Sequence, residues 1–340
     1  MASKPKKIRV GFIGAGGISR GHFSRLKAHP KAEVVALCDT SEKSIEAMHG
    51  HDPDSQACAV FSDWKTMLDA VELDAVQIHT PHTQHYEQAM ASLDRGLHVL
   101  CEKPMVCKVA HAEKLMRKID ASGKVFGISY QRHHQPEFLY IRKCLLAGKY
   151  GEIQYITALQ SQDWYRGCTR PGVWRGIPEL SGGGQLNDSG SHLLDIILWC
   201  SGLVPAEVFA YIDNLESQVD ILTAASVKFT NGALGTLSVN GNGIHFYEDI
   251  TFYCDEGAFY MRQGKLTEQN REKGYFEPTK MPKGTDPDTN WIDSILGKAE
   301  MIVPAVCGLR VIQLTEAAWK SGASGRPSKV KLSELDTPGA

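Results

Sequence analysis

Apolar positions in the first ~130 residues fall into short continuous runs separated by stretches of helical spacing. Ile8–Ile13, Glu33–Cys38, Val60-Phe61, Ala75–Ile78, His98–Cys101 and Val125–Tyr130 have strand length. Between them, a helical pattern starts near Ile18 and fades by Pro30. Asp63 is placed to cap Trp64–Ala70, Gln84–Asp94 reads as a helix, and Ala110–Ala121 ends just before Gly123. Strands alternating with helices predict βαβ units and a doubly wound parallel sheet, an α/β domain.

The rhythm changes after Tyr130. Pro136–Ala147 predicts one helix closed by Gly148. Runs of β character follow at Ile153–Leu159, Glu207–Ile212, Ile221–Phe229, Ala233–Val239, Ile250–Tyr253 and Ala258–Met261, with Asn231-Gly232 as a hairpin signal. This half is expected to be α+β with a large, open, mostly antiparallel sheet. Glu277–Asp288 reads as a surface loop, and Asp293–Leu296 and Leu309–Trp319 as late helices. The pattern divides the chain into residues 1–130 and 131–340, with the C-terminal helix and tail packing back on the first domain.

Composition narrows the class. A chain of 340 residues, 42% hydrophobic and 22% charged, can build two cores. A net charge of −2 argues against nucleic acid or an anionic membrane as partner. The basic start, Met1 to Lys7, leads into a strand without a signal-type apolar region, and no apolar run approaches the ~20 residues of a membrane span. The 9 cysteines are scattered and form no CxxC pair, which predicts reduced thiols in a cytoplasmic protein.

Three stretches carry candidate chemistry. Gly14-Ala15-Gly16-Gly17-Ile18-Ser19 follows the first strand and opens a helix, the setting in which glycines admit a pyrophosphate. Asp39 ends the second strand, where a carboxylate binds the adenosine ribose and repels a 2′-phosphate. NAD is therefore expected; NADP stays possible, because Thr40, Ser41 and Lys43 could hold a phosphate if Asp39 turned away. Leu97–Cys101 ends at Glu102-Lys103-Pro104, presenting Lys103 at the carboxyl end of a strand. In Ser181–Asp195, the triple glycine allows close backbone approach, and Asp188 and Ser189 are good helix starters. Asp188 and His192 share a helical face, an acid–base arrangement. The plainer reading makes Asp188 a cap, His192 a polar core residue and Asp195 a packing residue. No cluster has metal-ligand spacing, so no metal is expected. Asp163–Gly176 mixes aromatic rings with Arg166, Arg170 and Arg175. It suits a sugar or sugar acid, with Tyr165, Trp174 and Arg175 as pocket candidates and His245 a weaker one; an ordered loop at a subunit contact is the alternative.

Taken in order, the glycine loop, Asp39, Thr80-Pro81-His82-Thr83-Gln84-His85, Glu102-Lys103-Pro104 and Gly183 to His192 resemble the Gfo/Idh/MocA oxidoreductases, the glucose–fructose oxidoreductase and inositol dehydrogenase family. The resemblance runs from Ile8 to about Val330. It implies a dinucleotide-binding Rossmann domain, then a substrate-binding domain whose sheet forms the interface of a homodimer or homotetramer. It implies hydride transfer between a secondary hydroxyl of a sugar, polyol or sugar derivative and NAD(P). By the same resemblance Lys103, Asp188 and His192 are catalytic. Lys103 binds the alcohol oxygen, His192 takes its proton, and Asp188 orients the pair and contacts a neighbouring hydroxyl. Gly14, Gly16, Gly17, Ile18, Asp39, Thr80, Pro81, His85, Glu102, Lys103 and Gln131 map to the cofactor. Lys103-Pro104 maps to a cis peptide. Two departures stand out: His82 replaces an amide side chain, and Tyr130-Gln131-Arg132-His133-His134-Gln135-Pro136 has changed members. An NAD-dependent glycoside-cleaving enzyme using transient oxidation and a non-catalytic dinucleotide sensor are the alternatives.

Overall fold

The computed structural model describes residues 7–336. The first half of the chain runs β1 (Ile8–Ile13), α1 (Gly17–Ala28), β2 (Ala32–Cys38), α2 (Glu42–His51), β3 (Ala59–Phe61), α3 (Trp64–Ala70), β4 (Ala75–Ile78), α4 (His85–Asp94), β5 (His98–Cys101), α5 (Val109–Ser122) and β6 (Phe126–Ile128). Its six strands pair in the order β3-β2-β1-β4-β5-β6, all parallel. The order reverses between β1 and β4, and a parallel sheet opens its ligand crevice at the carboxyl ends of strands around such a reversal. The expected cap forms, with Asp63 accepting from the Thr66 amide at 2.8 Å. Gly123 has φ +62° one position past α5. Helix α2 was not anticipated; its hydrophobic stripe is thin, with Ile45 and Met48 its buried residues.

The remainder runs α6 (Pro136–Leu146), β7 (Ile153–Asp163), α7 (Tyr165–Cys168), α8 (Pro178–Ser181), α9 (Gly190–Ser201), β8 (Pro205–Asp213), β9 (Leu222–Phe229), β10 (Leu234–Asn240), β11 (Asn242–Cys254), β12 (Gly257–Arg262), β13 (Lys265–Asn270), β14 (Gly274–Phe276), α10 (Pro287–Ile295), α11 (Ala305–Ser324) and β15 (Ser328–Lys329). Nine strands form one sheet, β14-β13-β12-β11-β7-β10-β9-β8-β15, antiparallel except for the β7–β10 pair. The Asn231-Gly232 turn closes β9 onto β10: the Phe229 amide donates to the Ala233 carbonyl at 2.9 Å, and Gly232 takes φ +94°. Alternation sorts the two faces. Ile156, Ala158, Leu237, Val239, Ile250, Phe252 and Phe259 are buried, whereas Tyr211, Leu234, Tyr253 and Tyr275 are exposed.

The chain forms two compact units. The first holds residues up to Met105, Lys114–Ser129 and also Thr285–Ala305; the second holds Val106–Glu113, Tyr130–Gly284 and the chain from Val306. This differs from a single cut at 130. Trp291 and Ile292 of α10 join Val10, Phe12, Leu26, Leu37 and Leu100 in the first unit's core. The reading of Glu277–Asp288 as a surface loop is corrected at its end. Asp286 caps α10 by accepting from the Thr289 amide at 2.9 Å, Pro287 occupies the first turn, and Asp288 is buried. The late helices are longer than expected, since buried positions continue through both. Among the described residues, no helix is long and apolar enough to cross a membrane.

Candidate functional site

In the first unit the chain leaves β1 through Gly14 at φ +98°. A Cβ there would stand 2.8 Å from the carbonyl carbon of His79, so only glycine fits. Gly16 and Gly17 differ: a Cβ on either would meet no protein atom within 4 Å. Their lack of a side chain serves no packing need and leaves the start of α1 open to a close approach. No side chain caps that helix, and its first turn has no acid. Ser19 donates to the Gly16 carbonyl at 2.6 Å, and Ile18 is 47% exposed. Asp39 reaches this loop from the end of β2, accepting from the Ala15 amide at 2.8 Å through one oxygen and from the Ser41 amide at 2.8 Å through the other. An open, uncapped helix start beside a fixed carboxylate fits a dinucleotide, with phosphate at the amides and ribose hydroxyls at Asp39.

Beyond β4, Thr80 donates to the Gln88 side chain at 2.6 Å, and Pro81 leads into a turn containing the buried His82. The His85 ring sits between two backbone carbonyls, Thr80 at 2.9 Å and Pro104 at 2.8 Å. It is fully buried, and burial pushes its pKa down. His85 thus ties the loop after β4 to the loop after β5. The Lys103-Pro104 peptide is cis. Lys103 is half-buried, and its amide donates to the Glu102 carboxylate at 3.2 Å.

The sequence reading missed the ionic group behind this corner. His22, on the buried side of α1, places Nε2 3.0 Å from Glu102 Oε1 and Nδ1 2.8 Å from Asp288 Oδ1. Asp288 also accepts from Gln77 at 2.8 Å and from Arg25 Nε at 2.5 Å. Burial disfavours a charged ring, but the charge and hydrogen bonds of the two carboxylates outweigh it and push the His22 pKa up to about 9. Burial is likewise outweighed at the carboxylates. His22, with help from Lys103 at Glu102 and Arg25 at Asp288, holds both below the usual range. The His79 ring packs against His22 at 4.6 Å, and burial followed by the His22 charge keeps His79 neutral.

In the second unit, Asp220 builds the glycine run. Its carboxylate accepts from the Gly184 amide at 2.9 Å, the Leu186 amide at 2.7 Å and Trp319 Nε1 at 3.1 Å, while its carbonyl accepts from the Gln185 amide at 2.8 Å. A Cβ on Gly184 would lie 2.0 Å from that carbonyl oxygen. This loop carries Asp188, which is 3% exposed. Asp188 is no side-chain cap, because α9 starts at Gly190 with Ser189 before it and no side-chain cap bond. Its Oδ2 instead accepts from Trp164 Nε1 at 2.8 Å and Arg175 Nε at 2.9 Å. The Arg175 guanidinium lies 4.4 Å from the Trp174 ring centroid. Tyr165, in α7, is half-buried and packs against the Trp164, Val219 and Ile221 cluster. His192, in the first turn of α9, is half-buried with its ring edge-on to Tyr130 at 5.6 Å. Gln131 is half-buried in the turn Gln131–His134, and His245 is exposed on β11. Asp195 is buried and bonds His133 Nε2 at 2.6 Å.

Among the described residues, two buried triads have ligand atoms close enough together for a metal: His22, His79 and Glu102, and His133, Asp195 and Cys307. In each, a histidine–carboxylate hydrogen bond already occupies two of the atoms. All nine cysteines are free thiols.

Comparison with known proteins agrees with this layout. Residues 8–130 match the profile described as the oxidoreductase family, NAD-binding Rossmann fold, and residues 138–260 match the Gfo/Idh/MocA C-terminal domain. A D-glucoside 3-dehydrogenase of Escherichia coli (strain K12) is 28% identical, covering 96% of this chain and 97% of the relative. A scyllo-inositol 2-dehydrogenase (NADP(+)) of Bacillus subtilis (strain 168) is 30% identical, covering 95% and 96%. The fold matches that of the WlbA dehydrogenase from Bordetella pertussis in complex with NADH and UDP-GlcNAcA, with a TM-score of 0.84 at 23% identity over 97% and 99% of the two chains. It also matches a levoglucosan dehydrogenase in complex with NADH, with a TM-score of 0.86 at 19% identity over 96% and 100%. With both profiles matched in order and a relative 30% identical along nearly its whole length, the chain belongs to the Gfo/Idh/MocA family of NAD-binding oxidoreductases.

Proposed function

We propose that this protein is an NAD-dependent dehydrogenase that oxidises a secondary hydroxyl of a sugar, polyol or sugar derivative. The observation that carries the reading is the Asp188 carboxylate, buried yet held by Arg175 and Trp164 on the loop that leads to His192. A buried carboxylate whose orientation is fixed by two donors suits a polyhydroxylated substrate, since carboxylate oxygens accept hydroxyl hydrogen bonds. The names of the glucoside, levoglucosan and inositol dehydrogenase relatives support the same class.

In this reading Gly14, Gly16, Gly17 and Ile18 bring backbone to the pyrophosphate, and Asp39 takes the ribose. Thr80, Pro81, Glu102 and Gln131 supply the remaining cofactor contacts, with His85 holding the loops. When bound, NAD supplies the hydride acceptor. His192 takes the hydroxyl proton as general base, a task for which an imidazole is suited. Lys103 binds the alcohol oxygen and offsets its developing negative charge. Asp188 receives a neighbouring hydroxyl, and Tyr165, Trp174 and Arg175 line the sugar pocket. We further infer a homo-oligomer assembled on the open sheet face. The register puts Tyr155, Leu234, Tyr253 and Tyr275 on that face beside Tyr211, and all but Tyr155 are exposed. Free thiols throughout suit a reducing, cytoplasmic setting.

The test follows NADH absorbance across a panel of polyols, aldoses, sugar acids and aryl glycosides. Net NADH formation is expected. Glycoside cleavage without net cofactor use would replace the reading with transient oxidation, and NAD binding without any turnover would replace it with a sensor.

A further inference from the structure

We propose that His22 is a positioning residue: a doubly hydrogen-bonded imidazolium that locks the Glu102-Lys103-Pro104 corner to the helix of the glycine loop. The proposal rests on the reading of Lys103 as part of the reaction. Both ring nitrogens face carboxylate oxygens, at 2.8 and 3.0 Å. A neutral imidazole carries one N–H and would leave one carboxylate facing a lone pair. The ring is 0% exposed, so water cannot repair such a mismatch.

The groups facing His22 come from every neighbouring element. They are Asp288 from α10, Glu102 after β5, His79 after β4, Ser129 Oγ at 3.5 Å after β6, and Arg25 on α1 itself through its bond to Asp288. Two buried carboxylates are balanced by the buried His22 and the half-buried Arg25, with His79 kept neutral against the ring face. The consequence for the corner is mechanical. Glu102 Oε1 is held by His22, which orients Oε2 to accept from the Lys103 amide. Lys103 therefore leaves the strand in a direction set from α1, the element whose first turn faces the cofactor phosphates. One buried proton thus links the cofactor-binding loop to the reacting lysine. Neither His22 nor Asp288 needs to touch substrate for this role.

The experiment uses full-length protein, labelled with ¹⁵N-histidine and saturated with NAD. The His22 signal is the one lost in His22→Gln. It is expected to show two protonated nitrogens at pH 7 and to titrate near pH 9, and in Asp288→Asn to titrate at least about one unit lower, as expected on losing a close opposite charge. Turnover is measured with the panel substrate of highest activity. His22→Gln is expected to lower kcat by roughly 10- to 100-fold with the KM for NAD changed less than about threefold, as for a misplaced catalytic group. Asp288→Asn is expected to move the alkaline limb of kcat to lower pH together with the His22 signal. A neutral His22 at pH 7, or an Asp288→Asn protein with unmoved His22 pKa and unmoved kcat profile, overturns the proposal. If His22→Gln does not fold, Asp288→Asn and Glu102→Gln carry the same test. Normal turnover in Lys103→Ala, with His22 titrating as expected, would instead overturn the reading of Lys103.

Discussion

His22 Nδ1 lies 2.8 Å from Asp288 Oδ1, across 266 positions of chain. The contact fastens α10 beneath the parallel sheet, and it makes stability depend on pH in a definite direction. A histidine whose folded pKa of about 9 exceeds its unfolded value of ~6.5 stabilises fully below the unfolded value. That contribution is lost as pH rises through about 9. The urea midpoint is therefore expected to fall between pH 6.5 and pH 9.5 in the wild type, and this fall to be absent in His22→Phe. His22→Ala leaves two buried carboxylates without the cation they share and should cost about 3 kcal/mol or more at pH 7. A flat midpoint across this range in the wild type would contradict the charge state.

In the proposed reading, cofactor choice rests on Asp39. Its two oxygens are already held by the Ala15 and Ser41 amides, so the carboxylate cannot swing aside without losing both bonds. A 2′-phosphate would meet that charge. Asp39→Ser is expected to raise the KM for NAD by roughly 10-fold and to lower that for NADP, reversing or erasing the preference. Initial rates with both cofactors test this; strong NADP preference in the wild type would sink it.

The glycines separate into two kinds, and substitution should tell them apart. At Gly16 and Gly17 an added methyl meets nothing within 4 Å, so Gly16→Ala and Gly17→Ala should melt within about 2 °C of wild type, a surface-like effect. Their NAD affinity should nevertheless drop by roughly 10-fold or more, because the methyl occupies space that a pyrophosphate needs. At Gly184 the methyl would sit 2.0 Å from the Asp220 carbonyl oxygen. Gly184→Ala must open the Asp220 clamp and should lower the melting temperature by several degrees, as overpacking does. Calorimetry and NAD titration on the three variants decide it; loss of stability in all three would remove the distinction.

Much of this layout was legible because its signals are local. Continuous apolar runs mark the parallel strands, the glycines after β1 mark the open turn into α1, and alternation marks the faces of the antiparallel sheet. Asp286-Pro287 was a readable cap that the nearby Lys, Gly and Pro residues masked as loop. The ionic group was not legible. His22 lies on an ordinary amphipathic helix, and its partners are 80 and 266 positions away. Asp220 is similar: nothing in its neighbourhood announces that its carboxylate closes on amides 34 and 36 positions earlier. Asp188 was legible as important but not in its bonding. Helix-start statistics favour a cap, whereas tertiary structure supplied stronger donors in Arg175 and Trp164.

Arg175 and Asp188 offer the sharpest test of the second unit. The guanidinium is partly exposed and bonds a carboxylate that is nearly fully buried. Removing the arginine takes away a donor that fixes the Asp188 carboxylate, while the Trp164 indole stays on Oδ2. Arg175→Ala is then expected to raise the sugar KM by roughly 10-fold, with a smaller effect on kcat, since it loosens ground-state and transition-state binding alike. Arg175→Lys keeps the charge but loses the planar fork and should restore only part of the affinity. The NAD KM should stay unchanged, as neither Arg175 nor Asp188 is among the proposed cofactor contacts. Equal losses in sugar and NAD KM would point to general unfolding of the loop. A normal sugar KM in Arg175→Ala would show that the Arg175–Asp188 pair plays no part in substrate binding.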